Sequence, residues 1–341
     1  MQLRSAIGCA KPSGIMRKRS LTGIKPSGTI HLGNYLGAIR PALALAREHE
    51  SFLFIADYHA LTTLHDPALL RAYAYEVTAA WLACGLDPSR IHLYRQSDVP
   101  EVFELAWVLS CHLAAGQLER GHAYKDALAK GGAPNAGLFN YPVLMAADIL
   151  LFDADIVPVG QDQRQHVEVC RDVAERINHH YGEGTLVVPE ARITEAPLVP
   201  GLDGTKMSKS KGNAIPLFAP AKELRKVVMK IVTGSEALEE PKPAAGTTVF
   251  ELYKLVASPE DVASMESKLA AGGYGWGHAK GDLAEALEAE LGPKRERYAA
   301  LRADEAALDR ILLEGARKVR PIALRTVDRV RAAIGITPAS R

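Results

Sequence analysis

The chain has 341 residues, 48% of them apolar, and 41 Lys and Arg against 40 Asp and Glu, for a net charge of +1. That length suits two domains with ample material for a core, and the charge balance excludes a uniformly basic nucleic-acid binder. No apolar run approaches the ~20 residues of a membrane span. Four cysteines (Cys9, Cys84, Cys111, Cys170) without C-x-x-C spacing exclude a zinc ribbon and point to reduced thiols in a cytoplasmic protein.

The first 47 residues hold eight Lys or Arg and no Asp or Glu. Residues 1–20 lack an apolar h-region, so they read as a flexible basic extension and not as a secretion signal. They contain Lys11-Pro12-Ser13-Gly14, an echo of Lys25-Pro26-Ser27-Gly28; only the second copy leads into His31-Leu32-Gly33-Asn34 and a Leu- and Ala-rich helical run. Short apolar runs at 52–56, 91–94 and 155–159 read as strands, and 67–84, 101–113 and 162–178 as the helices between and after them. This alternation predicts an α/β fold, a parallel sheet covered on both faces, with ligands beyond the carboxyl ends of its strands. No G-x-G-x-x-G follows the first strand, which disfavours a dinucleotide-binding dehydrogenase. After Pro216 helices dominate, broken at 241–243 and 272–275. The last run, 304–334, carries Arg310, Arg317, Lys318, Arg320, Arg325, Arg329 and Arg331, predicting one basic face.

Three local patterns carry chemistry. At His31–Asn34, Gly33 lets a ligand approach the backbone, and the free N–H groups of a helix start favour an anion. Lys206-Met207-Ser208-Lys209-Ser210 lies in a Gly-flanked loop whose two ammonium groups and two hydroxyls suit a polyphosphate. Asp148 sits among Ala146, Ala147, Ile149, Leu150 and Leu151, where a carboxylate is costly unless it is partnered, and a neutral N–H donor fits. Gly160 and Asp162 follow a strand end. Gly160 admits close approach, and Asp162 either accepts from ribose hydroxyls or caps the next helix.

At these strings the chain resembles the class I aminoacyl-tRNA synthetases, whose HIGH and KMSKS signatures flank an ATP site on a Rossmann-type fold. Residues 140–150 and 155–166, and Gln117-Leu118-Glu119-Arg120 with Lys125 after it, resemble the tryptophanyl-tRNA synthetase forms of the amino-acid and ribose segments. The resemblance runs from about Leu21 to the C-terminus. It departs at Lys25, where bacterial relatives often have Gln, and at Leu21, where an aromatic is expected. It implies a catalytic domain over 21–215 and an α-helical anticodon-binding domain over 216–341, whose last helix has room to pack back on the first.

The implied reaction joins L-tryptophan to tRNA(Trp) through an adenylate, with ATP as substrate and Mg²⁺ held mainly by its oxygens. An α-carboxyl has a pKa of roughly 3.3–3.7, so the nucleophile is already ionised and the site needs cations and N–H donors more than a general base. By resemblance, Lys206 and Lys209 contact the departing pyrophosphate, and His31 and Asn34 the triphosphate. Lys25, Pro26, Ser27, Gly33, Met207, Ser208, Ser210 and Lys125 surround the same pocket, and Gly160, Gln161 and Asp162 the nucleoside. Asp148 reads the indole N–H, Tyr141 and Gln163 hold the α-ammonium, Met145 walls the ring, and His59 lines the pocket or packs in the core. Lys222, Arg225, Lys226 and Lys230 join the last helix as candidates for RNA phosphates. A homodimer is implied, and the N-terminal extension offers room for a further partner. Two alternatives stay open: a tyrosyl-tRNA synthetase, and a regulatory protein of this fold without aminoacylation.

Overall fold

The computed structural model describes residues 17–160, 164–193 and 198–336. Among these, five strands form one sheet: β1 (Arg19–Ile24), β2 (Glu50–Ile55), β3 (His92–Arg95), β4 (Ile156–Val159) and β5 (Glu190–Ile193). Their order is β3-β2-β1-β4-β5 and every pairing is parallel. The chain works outward from β1 to one side and returns through β4 to the other, so the switch point lies between β1 and β4. In such sheets the crevice beyond the carboxyl ends at that point takes the ligand.

A parallel sheet covered on both sides buries both faces of its strands. In β2, Phe52 and Phe54 enter one core with Leu21, Tyr94 and Val157, while Leu53 and Ile55 enter the other with Leu93 and Trp81. Two strands, β1 and β5, have no counterpart among the apolar runs of the sequence. β1 (RSLTGI) is broken by Ser, Thr and Gly, and β5 (EARI) is a four-residue edge strand. Gly23 in β1 has a tertiary reason: a Cβ there would meet the Phe54 ring at 2.5 Å.

The first helical run, residues 32–45, is an α-helical turn (Leu32–Asn34), a π-helical turn (Tyr35–Ile39) and an α-helical end (Arg40–Leu45). Helix Pro67–Ala83 starts as its sequence dictates: Asp66 accepts from the N–H groups of Ala68 and Leu69 at 2.9 and 3.0 Å, and Pro67 needs no acceptor. Helices Glu101–Ser110, Ala136–Leu151 and Arg164–Tyr181 share the core of Phe52 and Phe54, while Pro67–Ala83 and the helices from Ala221–Val228 to Trp276–Arg302 share that of Leu53 and Ile55.

The last helix, Glu305–Ile334, returns to the sheet and lies on β3. The contact is so close that a Cβ at Gly315 would stand 1.8 Å from the Leu93 carbonyl oxygen. This narrows the expectation of one basic face, because three of its arginines are paired with carboxylates of the sheet domain. Arg320 pairs with Glu101, Arg331 with Glu104 and Arg329 with Asp153, all on elements of the sheet domain. Those guanidiniums tie the last helix to helix Glu101–Ser110 and to the turn before β4, because their buried or half-buried carboxylate partners need a counter-charge. Of the others, Arg310 pairs with Asp304 and Lys318 with Glu314.

Candidate active site

The two signature strings lie far apart in sequence and meet at the carboxyl end of β1. Leu32 donates its N–H to the Ile215 carbonyl at 2.9 Å, and Leu217 returns one to Ile30 at 3.1 Å. The Gly33 N–H donates to Met207 Sδ at 3.2 Å. Gly28 stands in the left-handed region (φ 108°), and a Cβ there would lie 3.2 Å from Lys209 Nζ, so a glycine admits the lysine across the loop.

The 206–210 loop is held from beneath by Asn213, which is only 3% exposed. Its Oδ1 accepts from Ser208 N at 2.8 Å; its Nδ2 donates to Asp203 at 2.7 Å, Thr205 at 3.2 Å and the Lys206 carbonyl at 3.3 Å. Gly201 makes room, since a Cβ would meet the Asn213 side chain at 2.3 Å. Asn213 belongs to no motif of the sequence; its one local mark is that it is a polar residue directly behind a Gly-ended loop.

A cleft of about 410 Å³ opens above these residues, lined by Lys25, Ser27, Gly28, His31, Asn34 and Lys209, with Ser208 beside them. Burial and the neighbouring Lys209 charge pull His31 down to about 4, so its imidazole is neutral at pH 7. Its Nδ1 is buried without a hydrogen-bond partner among the described residues, while the Asn34 side chain is tied to the His31 N–H at 3.1 Å. Burial lowers Lys209 and Lys25 from the ordinary lysine value, with Glu76 working against it at Lys209. Lys25 Nζ donates to Thr62 and Thr63 at 3.1 and 2.9 Å. Two ammonium groups, hydroxyls and a neutral imidazole around a helix start make a site for several negative charges.

Gly23, Ile24, Lys25 and Ala38 also line a second cleft of about 630 Å³, which adjoins the first and is largely apolar. Met145, Tyr141, Phe54, Val159 and Gly160 line it, and its polar groups include His59 and Asp148. Asp148 is 4% exposed and is not bare. His59 Nε2 lies 2.8 Å from its Oδ2, and Gln96 Nε2 lies 2.9 Å from Oδ1 and 3.0 Å from Oδ2. Burial raises Asp148 above the usual carboxylate range, and the His59 and Gln96 bonds work against that rise. A carboxylate offers about four acceptor positions. Three are taken among the described residues, which leaves one acceptor position on Oδ1. The Tyr141 hydroxyl is hydrogen-bonded to the buried His166 Nε2.

The structure thus gathers Lys25, Ser27, His31, Asn34, Ser208 and Lys209 at one end and His59, Tyr141, Met145, Asp148 and Gly160 at the other. It does not bring Gly33, Lys206 or Lys125 to either cleft: the Gly33 N–H is spent on Met207, Lys206 is exposed with its backbone bridged to Pro200, and Lys125 is exposed on helix His122–Ala129. Pro26 and Met207 are buried as supports, and the exposed Ser210 lies 2.9 Å from the Ser208 hydroxyl. Gln161, Asp162, Gln163, the first copy of the Lys-Pro-Ser-Gly string and Cys9 lie outside the described residues. Gln96, the other unforeseen member, sits on a turn after β3 with no motif around it.

The family model of the class I tRNA synthetases for tryptophan and tyrosine matches residues 16–292. The chain belongs to that family. Among its synthetase relatives, the tryptophan–tRNA ligase of Rhodopirellula baltica is 48% identical, over 93% of this chain and 99% of its own. That of Xylella fastidiosa strain 9a5c is 50% identical, over 94% of this chain and 76% of its own. The crystal structure of the Campylobacter jejuni tryptophanyl-tRNA synthetase complexed with ADP and tryptophan superposes with a TM-score of 0.88. It is 44% identical and covers 93% of this chain and 99% of its own. The parallel sheet with its two-ended crevice is accordingly the Rossmann-type catalytic fold of class I synthetases.

Proposed function

We propose that this chain is a tryptophan–tRNA ligase that activates L-tryptophan with ATP and transfers it to tRNA(Trp). One observation carries the reading: a cationic cleft at a helix start adjoins an apolar pocket lined by a partnered, buried carboxylate. The ATP triphosphate lies at Lys25, Ser27, His31, Asn34 and Lys209, and the indole against Met145 with its N–H on Asp148. The tryptophan carboxylate attacks the α-phosphorus; a new O–P bond forms and the bond to the bridging oxygen breaks, releasing pyrophosphate. The cations offset the repulsion between two anions and the charge spreading onto the leaving group. Lys209, on a loop, tightens on that charge and then lets product go. A terminal ribose hydroxyl of the tRNA next attacks the acyl carbon and AMP departs.

Among the described residues no group of three or more His, Cys, Asp or Glu is arranged to hold a metal ion, and the cleft offers hydroxyls and cations. Mg²⁺ would therefore ride on ATP oxygens, where it would supply charge neutralisation. Among those residues no helix is long and apolar enough to cross a membrane, and we place the enzyme in the cytoplasm. Residues 21–215 form its catalytic unit. Residues 216–341, minus the guanidiniums paired with the catalytic unit, form the tRNA-facing unit through Lys222, Arg225, Lys226 and Lys230.

We also propose a homodimer. Phe103 and Trp107 stand one turn apart on helix Glu101–Ser110, 42% and 72% exposed, with Tyr58 packed edge-on against Phe103 at 4.7 Å. An aromatic strip of this kind belongs against a partner surface.

The test is ATP–pyrophosphate exchange driven by each amino acid in turn. Tryptophan is expected to drive it and tyrosine not; the reverse would overturn the assignment. Sedimentation of wild type and Trp107→Lys checks the dimer, with a shift to monomer expected in the variant.

A further inference from the structure

Gln96 is 1% exposed, on the 3-10 turn Gln96–Asp98 that leaves the carboxyl end of β3. It does not line the apolar pocket, yet its Nε2 bridges both oxygens of Asp148, at 2.9 and 3.0 Å, across 52 residues of sequence. Its other end is left wanting: Oε1 is buried with no hydrogen-bond partner among the described residues. A packing role does not account for this, since leucine fills a similar space without orphaning an acceptor. Turning the amide over is no remedy, because it sets Oε1 against a carboxylate. The side chain therefore bears an unsatisfied oxygen in order to aim N–H at Asp148.

We infer that Gln96 is a positioning residue for amino-acid selection: it orients the Asp148 carboxylate and reserves one Oδ1 lone pair for the N–H of the substrate ring. This rests on the tryptophan reading of the pocket. The groups facing Asp148 set the expected pH behaviour. His59 Nε2 donates from helix Asp57–Ala60, Asp57 adds a like charge from the same helix, and Tyr94 stands behind it on β3. Asp57 is itself occupied by the Ser97 N–H at 3.1 Å and the Ser97 hydroxyl. Of these groups, Gln96 is the neutral donor that reaches both carboxylate oxygens, so its loss leaves the carboxylate free to turn and easier to protonate.

The experiment measures tryptophan-dependent ATP–pyrophosphate exchange for the full chain between pH 5.5 and 8.5, with wild type, Gln96→Leu and Gln96→Glu. Gln96→Leu is expected to raise the KM for tryptophan about 10–100-fold while the KM for ATP stays within about twofold. The acid limb of kcat/KM for tryptophan moves to higher pH, which a purely structural role would not cause. Gln96→Glu keeps the shape and donates only when protonated, so its tryptophan KM climbs as the pH rises through a range where wild type is flat. A tryptophan KM unchanged in both variants, an equal loss for ATP and tryptophan, or pH profiles like that of wild type would overturn the assignment of Gln96. Absence of tryptophan-dependent exchange in wild type would instead overturn the reading of the pocket itself, and the inference with it.

Discussion

Replacing Asp148 by Asn tests the selection chemistry most directly, because it removes the charge and keeps the shape. The carboxylate accepts two bonds at Oδ2, from His59 and Gln96, and one at Oδ1, from Gln96. An asparagine that keeps its oxygen toward His59 must put its NH₂ at the Oδ1 position, where the reserved lone pair was. There it faces both a Gln96 N–H and the indole N–H, donor against donor. A hydrogen bond to a charged group contributes about 1.5–3 kcal/mol, so tryptophan affinity is expected to fall by about 10–150-fold. The orphaned buried donor costs a further ~1–3 kcal/mol of folding stability, visible as a lower thermal midpoint. ATP affinity stays close to wild type, because the phosphate end of the crevice is built from other residues. Calorimetric titration of each ligand separately gives both numbers. Tryptophan binding within twofold of wild type, or an equal loss for ATP, would refute the argument.

Three further outcomes follow from the same geometry. Asn213→Ala removes the side chain that ties Ser208 to Asp203, Thr205 and Lys206, so adenylate formation in single-turnover assays should slow by about 10–100-fold while tryptophan binding is unchanged. Gly315→Ala drives a methyl into the Leu93 carbonyl and should lower stability by about 1–3 kcal/mol or more, read by thermal or urea unfolding. His31 has an ordinary value of 6.5 and is pulled to about 4 in the fold, so the unfolded chain binds its proton more readily and stability is lost as the pH falls from 6.5 toward 4. In His31→Gln the fall in thermal midpoint between pH 7 and pH 5 should be shallower than in wild type.

The local patterns settled a good deal without any fold. A charged residue in an otherwise apolar helix announces a buried carboxylate wherever the helix ends up, and Asp148 is buried and beside the crevice. Strands 52–56, 91–94 and 155–159 were legible because parallel strands buried on both faces are continuous apolar runs; β1 and β5 were not, being polar-broken and at an edge. What only the tertiary structure decided is who partners whom. Gln96 and Asn213 matter through residues distant or folded back on them, and a glutamine in a turn or an asparagine behind a loop has no periodicity to betray its donors. The arginines of the last helix are the same lesson in reverse: their spacing promised a solvated basic stripe, and Glu101, Glu104 and Asp153 claimed three of them. Sequence fixes the chemistry each side chain carries; the distance and desolvation that give that chemistry its strength exist only once the chain has closed on itself.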